Sequence, residues 1–127
     1  MKTIIRHPLN GTKEDFDWFY LDTEINTTCP WYTIGALEFL NSITNLSELS
    51  VFEYGCGRSS AWWKRKTQKW NGVDSNKKWA EECDCLYRTD KVEYITSCLG
   101  FNYDIIVIDG IYRDDCTEFA LSSINKS

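Results

Sequence analysis

Glu53, Gly55, Gly57 and Asp74 are the residues of this chain whose types and spacing could do chemistry together. The stretch Val51-Phe-Glu-Tyr-Gly-Cys-Gly-Arg-Ser-Ser60 places an acid on a β-rich run, then two glycines spaced Gly55-x-Gly57. Ser59-Ser-Ala-Trp-Trp63 follows and reads as the start of a helix. Strand, tight turn and helix N-terminus make the cradle that holds a nucleotide-like cofactor at the carboxyl edge of a parallel sheet. Such a cradle is completed by a second strand ending in an acid about 20 residues on. Val73-Asp74 meets that requirement.

The chemistry of the turn discriminates between cofactors. A dinucleotide fingerprint wants a third glycine, so that the helix packs close and meets a pyrophosphate; here the position is Ser60. S-adenosylmethionine has no phosphate, and its sulfonium and amino group favour a nearby carboxylate, which Glu53 could supply. Asp74 is placed to accept hydrogen bonds from both ribose hydroxyls, since a carboxylate has about four lone-pair sites. A nicotinamide-dependent oxidoreductase is the competing cofactor reading, and Ser60 counts against it.

The elements that must position these residues alternate along the chain. Residues 1–29 read as a polar, aromatic N-terminal arm with a short helix over Glu14–Leu21, and residues 30–127 as the cofactor-binding domain. Pro30 suits the start of a helix running to about Ile43, with Ile34, Leu37, Phe39, Leu40 and Ile43 mostly on one face. Strands are expected at Val51–Tyr54, Asn71–Asp74, Val92–Thr96 and Tyr103–Asp109. The last contains four consecutive β-branched residues, the signature of a strand buried on both faces. Helices are expected over Ser59–Lys69, with Trp62 or Trp63 on the sheet, and over Asn76–Tyr87, capped by Ser75 or Asn76. A final helix, capped by Asp114 or Asp115, should end near Ile124. This alternation argues for an α/β doubly wound sheet.

Composition narrows the partners. Hydrophobic residues at 43% and charged residues at 26% fit a globular domain rather than a disordered chain. A net charge of −5 gives no general attraction to nucleic acid or an anionic membrane. The one basic run, Lys64-Arg65-Lys66, reads as a solvated helix face. No apolar run approaches the ~18 residues that span a bilayer, and Met1–Asn10 lacks the apolar stretch of a signal peptide. The six cysteines, at 29, 56, 83, 85, 98 and 116, match no common disulfide framework, which favours a reduced, cytoplasmic protein. Cys83-x-Cys85 lacks the second pair that would complete a metal site and reads as helix-borne thiols. The triplets starting at Asn10, Asn26 and Asn45 read as chance glycosylation matches. Cys56 reads as a small turn residue with no partnered base, and His7, the only histidine, as incidental.

Four motifs in order then resemble the class I S-adenosylmethionine-dependent methyltransferases. Val51-Phe-Glu-Tyr-Gly-Cys-Gly-x-Ser-Ser-x-Trp-Trp63 is similar to the first motif of the subgroup whose turn reads roughly F-E-Y-G-S-G-x-S-T-x-W-W. Pro30-Trp31 with Ala36-Leu-Glu-Phe-Leu40 resembles its leading helix, and Val73-Asp74 with Trp79 its second motif. Tyr103-Asp-Ile-Ile-Val-Ile-Asp-Gly-Ile-Tyr-Arg-Asp-Asp-Cys116 resembles its fourth-strand motif, Y-D-x-I-x-I-D-G-x-x-R-x-x-C. The likeness covers about residues 30–120.

The resemblance implies a Rossmann-like, mainly parallel sheet with core order 3-2-1-4 and without the family's usual C-terminal strands. It implies S-adenosylmethionine as cofactor, held by Glu53, Gly55, Cys56, Gly57, Ser59, Asp74, Ser75, Asp109 and Gly110. Asp109 and Gly110 would form the floor near the transferable methyl, and Asp109 and Arg113 would be the residues for catalysis. Asp109 would take the acceptor's proton or hold a metal, or else serve only to order its loop. Arg113 would hold an anionic substrate group or order the same loop. Trp31 and Trp79 read as packing residues or as stacking partners of the adenine. The acceptor would be a small molecule, a sugar or a protein, nucleic acid being disfavoured by the acidic balance. A non-catalytic module that kept only the cradle is the alternative.

Two consequences of that order are physical. Strand four, the most apolar, would lie at an edge, needing cover from the N-terminal segment or a second copy of the chain. Only Ser97–Asn102 would link strand three to strand four, across a path of about 21 Å that six residues span at about 20 Å.

Overall fold

Ile105-Ile106-Val107-Ile108 is buried along its whole length and is an interior strand of the sheet. The computed structural model describes residues 3–6, 34–100 and 102–123. Five strands are described: β1 (Thr3–Arg6), β2 (Ser50–Tyr54), β3 (Lys69–Asp74), β4 (Leu86–Tyr87) and β5 (Ile105–Ile108). The helices are α1 (Ile34–Ser42), α2 (Arg58–Lys66), α3 (Lys77–Cys83), α4 (Lys91–Ile95) and α5 (Arg113–Ser123). The strands form one sheet of order β1-β5-β2-β3-β4, and every pairing is parallel.

The period-2 alternation of strand side chains divides the core. Val51, Ile105 and Val107 face one side and pack with Leu40, Leu46, Trp62 and Trp63 from α1, the turn after it and α2. Both tryptophans are buried, ring against ring edge-on at 4.9 Å. Phe52, Tyr54, Ile106 and Ile108 face the other side, where Tyr94 of α4 and Cys116 and Ala120 of α5 cover them. Helices therefore lie on both faces, as a parallel sheet requires. On α1, Leu40 is buried and Ile43 packs on the core, but Phe39, expected on the same face, is 41% exposed.

Several expectations need correction. Val92–Thr96 is not a strand; it lies in α4 and the 3₁₀ turn Thr96–Cys98 that follows. Its alternating Val-Glu-Tyr-Ile-Thr pattern suits a strand, but the Asp90 carboxylate accepts from Glu93 N at 3.0 Å and caps a helix instead. The third core strand is β4, within the stretch expected to be helical. Asp84 closes α3 in the left-handed conformation, φ 55°, and Cys85 N donates to Ala80 O, so the chain leaves the helix before Tyr87. The link to β5 is then residues 88–104, and the tight six-residue crossover does not arise. The core order β4-β3-β2-β5 keeps the expected sequence with this relocated strand.

The apolar strand does not lie at an edge. β1 pairs with β5 in parallel, Thr3 opposite Ile105 through Arg6 opposite Ile108, so the N-terminal segment supplies a strand. Asp114 and Asp115 lie within the first turn of α5 rather than capping it; Cys116 N donates to Tyr112 O. The expectations for residues 14–21, for Pro30, Trp31, His7, Asn10, Asn26 and Cys29, and for the side chains of Ile34 and Leu37 lie outside the described residues.

Candidate functional site

The chain runs outward from β2 to β3 and β4, then returns to β5 on the other flank of β2. Adjacent connections therefore part between β2 and β5. In open α/β sheets, the crevice beyond the carboxyl ends of the strands at such a switch point is where ligands bind. The turns following β2 and β5 carry Gly55–Gly57 and Asp109–Arg113, so the topology brings both predicted clusters to one place.

The two turns interlock through backbone. Asp109 N donates to Tyr54 O and Gly55 N to Val73 O, each at 2.8 Å. Gly55 has φ +86°, and a Cβ there would lie 2.5 Å from Asp109 O and 2.7 Å from Gly110 Cα. At Gly110 a Cβ would lie 2.2 Å from the buried Tyr94 hydroxyl. These two glycines are fixed by their protein neighbours. Gly57 differs: a Cβ there meets nothing within 4 Å. It stands at the N-terminus of α2, where Ser60 N already donates to Gly57 O at 3.1 Å.

Glu53 holds this turn from beneath. It is 0% exposed, and its carboxylate accepts from the Ser60 hydroxyl at 2.6 Å, the Ser59 hydroxyl and Trp70 Nε1 at 3.2 Å. Ser60 Oγ also accepts from Gly57 N at 3.0 Å, so glycine amide, serine and buried acid form a relay. Burial lifts the Glu53 carboxyl from 4.5 to about 7, against the three hydrogen bonds, with Asp109 adding repulsion. Glu53 and Ser59 therefore act by shaping the turn and setting its field, with no exposed oxygen on the acid. Ser60, conspicuous in the sequence only as a missing glycine, is the link that sequence reasoning passed over.

Asp74 joins the turn to the neighbouring strand. Its Oδ2 accepts from Cys56 N at 2.9 Å and its Oδ1 from Asn76 N at 2.7 Å. Each oxygen keeps a further lone-pair direction, and the residue is half-buried. Asn76, not Ser75, caps α3, accepting from Trp79 N at 3.2 Å; Ser75 is half-buried in the bend between Asp74 and that cap. Beyond β5, Arg113 Nε donates to Gly110 O at 2.9 Å, and its Nη2 lies 3.5 Å from Asp109 Oδ1. Arg113 straps its own loop, and Asp109 shares its charge. Tyr112 sits in the left-handed region at φ 54°, its ring against Tyr94 and under the Lys91 ammonium.

The cavities add a correction of emphasis. One of about 460 Å³ beside Cys98, Tyr103 and Ile106 lies away from the glycine turn. A groove of about 290 Å³ reaches the turn at Gly57 and continues between α2 and α3 along Lys64, Trp79 and Cys83. Trp79 is 45% exposed and borders this groove, so it is not a core residue. Lys64 is more than a solvated charge: its ammonium donates to Cys83 O and lies 4.6 Å from the centre of the Trp70 ring. No helix among the described residues is long and apolar enough to cross a membrane.

No family model matches the chain, and no match was found among curated proteins or solved structures.

Proposed function

We propose that this chain is a Rossmann-like domain that binds S-adenosylmethionine beyond β2 and β3 and transfers its methyl group to a small-molecule, sugar or protein acceptor. The observation that carries this reading is the build of the β2 turn. An acid at the end of β3 grips the turn's Cys56 amide and keeps lone pairs to spare, while Gly57 opens onto free space at a helix N-terminus. The cofactor's groups fit that donor set. A methionyl carboxylate suits the N–H groups that open α2. The ribose hydroxyls suit the remaining lone pairs of Asp74, and Glu53 lies behind the turn, where a cation in front would favour its charged form.

The bound cofactor supplies an electrophilic methyl group. The chain's part is to hold the acceptor in line with it and to receive the acceptor's proton. Asp109 and Gly110 form the nearest rim, and Arg113 orders it. The second reading, a cofactor-binding module without turnover, is favoured by one observation: Arg113 already engages Asp109 and Gly110 within the loop.

Calorimetric titration of the folded chain with S-adenosylmethionine and its demethylated product tests the proposal. Saturable binding, weakened at least about tenfold in Asp74→Ala, supports it. Absence of binding to a folded, monodisperse sample overturns it. Binding without methyl transfer to any acceptor screened selects the second reading.

A further inference from the structure

The sheet face under α4 and α5 changes character along one rung. Ile106, Phe52 and Asn71 are register neighbours across β5, β2 and β3, so an apolar row ends in an amide on an interior strand. Asparagine is a poor strand former, and a polar side chain within a sheet needs hydrogen-bond partners. Asn71 Nδ2 donates to the Tyr103 hydroxyl at 2.9 Å, and among the described residues its Oδ1 accepts no hydrogen bond.

A cavity of about 330 Å³ lies against this amide. Its inner wall is aromatic: Phe52 and Tyr103 are buried, with ring centres 5.3 Å apart and planes inclined at 58°. Asp84 and Leu86, both exposed, stand at its mouth. The Ser97 hydroxyl, also on the wall, already donates to Tyr94 O at 2.6 Å. Asn71 Oδ1, Ser97 Oγ and the Asp84 carboxylate are therefore all left as acceptors. The cavity joins two aromatic rings to a set of acceptors and one negative charge.

We propose that this cavity is a binding site for a small planar aromatic ring that carries an amino or amidinium group. The ring packs against Phe52 and Tyr103. Its N–H groups donate to Asn71 and Asp84, and a positive charge on them is favoured by the carboxylate and by the two ring faces. The volume stands near the lower end of the range for small-molecule sites, which suits one substituted ring. The site is separate from the glycine turn. Asn71 precedes Asp74 by about 10 Å of strand, and Asp84 precedes β4, whereas Gly57 and Asp109 follow the carboxyl ends of their strands. The inference is independent of what the glycine turn binds.

The test is a titration of the whole chain with benzamidine, followed in two-dimensional amide NMR spectra. Saturable binding with a Kd of about 1 mM or tighter is expected, with the Asn71 side-chain amide shifting and the Gly57 amide staying in place. Benzoate has the ring with the opposite charge, and acetamidine has the head group without the ring; each should bind at least about tenfold more weakly. Asn71→Leu should lose about the same factor. Asp84→Asn, which keeps a residue tolerant of the left-handed φ of 55°, should lose about threefold. No saturation by about 10 mM benzamidine, shifts centred on Gly55–Gly57, or equal affinity for benzoate overturns the proposal. The comparison of the probes on the wild-type chain decides the matter even where a variant fails to fold.

Discussion

The turns after β2 and β5 meet at the same switch point yet solve their polar accounting differently. The β2 turn borrows: the Gly57 amide rests on Ser60 and through it on Glu53 beneath, and the Cys56 amide on Asp74 from the next strand. The β5 turn leans on β2 through Asp109 N and Tyr54 O but is also strapped by a side chain of its own, with Arg113 reaching back to Asp109 and Gly110 four and three residues before it. A turn held from outside can leave its own outer face open, and Gly57 does so. A turn strapped by its own side chain is ordered from within. The first arrangement suits binding, and the second suits support.

The sharpest way to break this contrast is to add one methyl group to each glycine of the β2 turn. Gly55→Ala meets the Asp109 carbonyl at a positive φ and should cost more than about 3 kcal/mol in urea unfolding. Gly57→Ala meets nothing and should cost less than about 1 kcal/mol. Under the proposed function it should still weaken S-adenosylmethionine at least about tenfold. Equal stability losses at the two positions would mean that Gly57 is as enclosed as Gly55.

Glu53 gives the next effect. With its carboxyl raised from 4.5 to about 7 in the folded chain, the folded state binds the extra proton between those values. Its contribution is fully present below pH 4.5 and is lost as pH rises through about 7. Linkage puts the loss at about 3 kcal/mol. Stability of the wild type should fall by that order between pH 4.5 and 8, and Glu53→Gln should flatten the profile. An unchanged slope in Glu53→Gln would mean that the acid is not held in the dry relay that distinguishes this turn.

The β2 turn was legible in the sequence because its signal is local: an acid, two glycines and a hydroxyl pair within eight residues. The run at Ile105–Ile108 was legible for the same reason. What escaped was non-local or too short to carry a period. β4 has two residues and begins only because Asp84 turns left-handed, which no hydrophobic pattern encodes. Val92–Thr96 misled by alternation, although Asp90-x-x-Glu93 is a capping signature that pointed to a helix. The pairing of β1 with β5 joins residues about a hundred positions apart. At the site, Asp74 was found but not its grip on Cys56 and Asn76.

Asp74 should rank third. Asp74→Ala strips the acceptor from two backbone amides, and loss of about 1–2 kcal/mol is expected. Asp74→Asn keeps one carbonyl oxygen and should fall between the two in chemical denaturation. If Asp74→Asn were as damaging as the alanine variant, charge rather than acceptor count would bind the turn to β3.

Arg113 should have the smallest effect, and the comparison turns on it. Its contact with Asp109 is long at 3.5 Å, and both side chains remain about a quarter exposed. Solvent therefore screens the pair, and Arg113→Ala should destabilise by about 0.5–1 kcal/mol. Arg113→Lys keeps the charge but loses the planar Nε donor to Gly110 O, so it should recover only part of that. Under the proposed function, neither change should alter S-adenosylmethionine affinity more than a few fold, because the turn that grips the cofactor does not lean on Arg113. Methyl transfer, if the chain performs it, should fall more than binding does, since the strap orders the rim where the acceptor stands. A loss of cofactor affinity as large as that of Asp74→Ala would show that the two turns act as one unit, and the division between a turn held from the next strand and one strapped by its own side chain would fail.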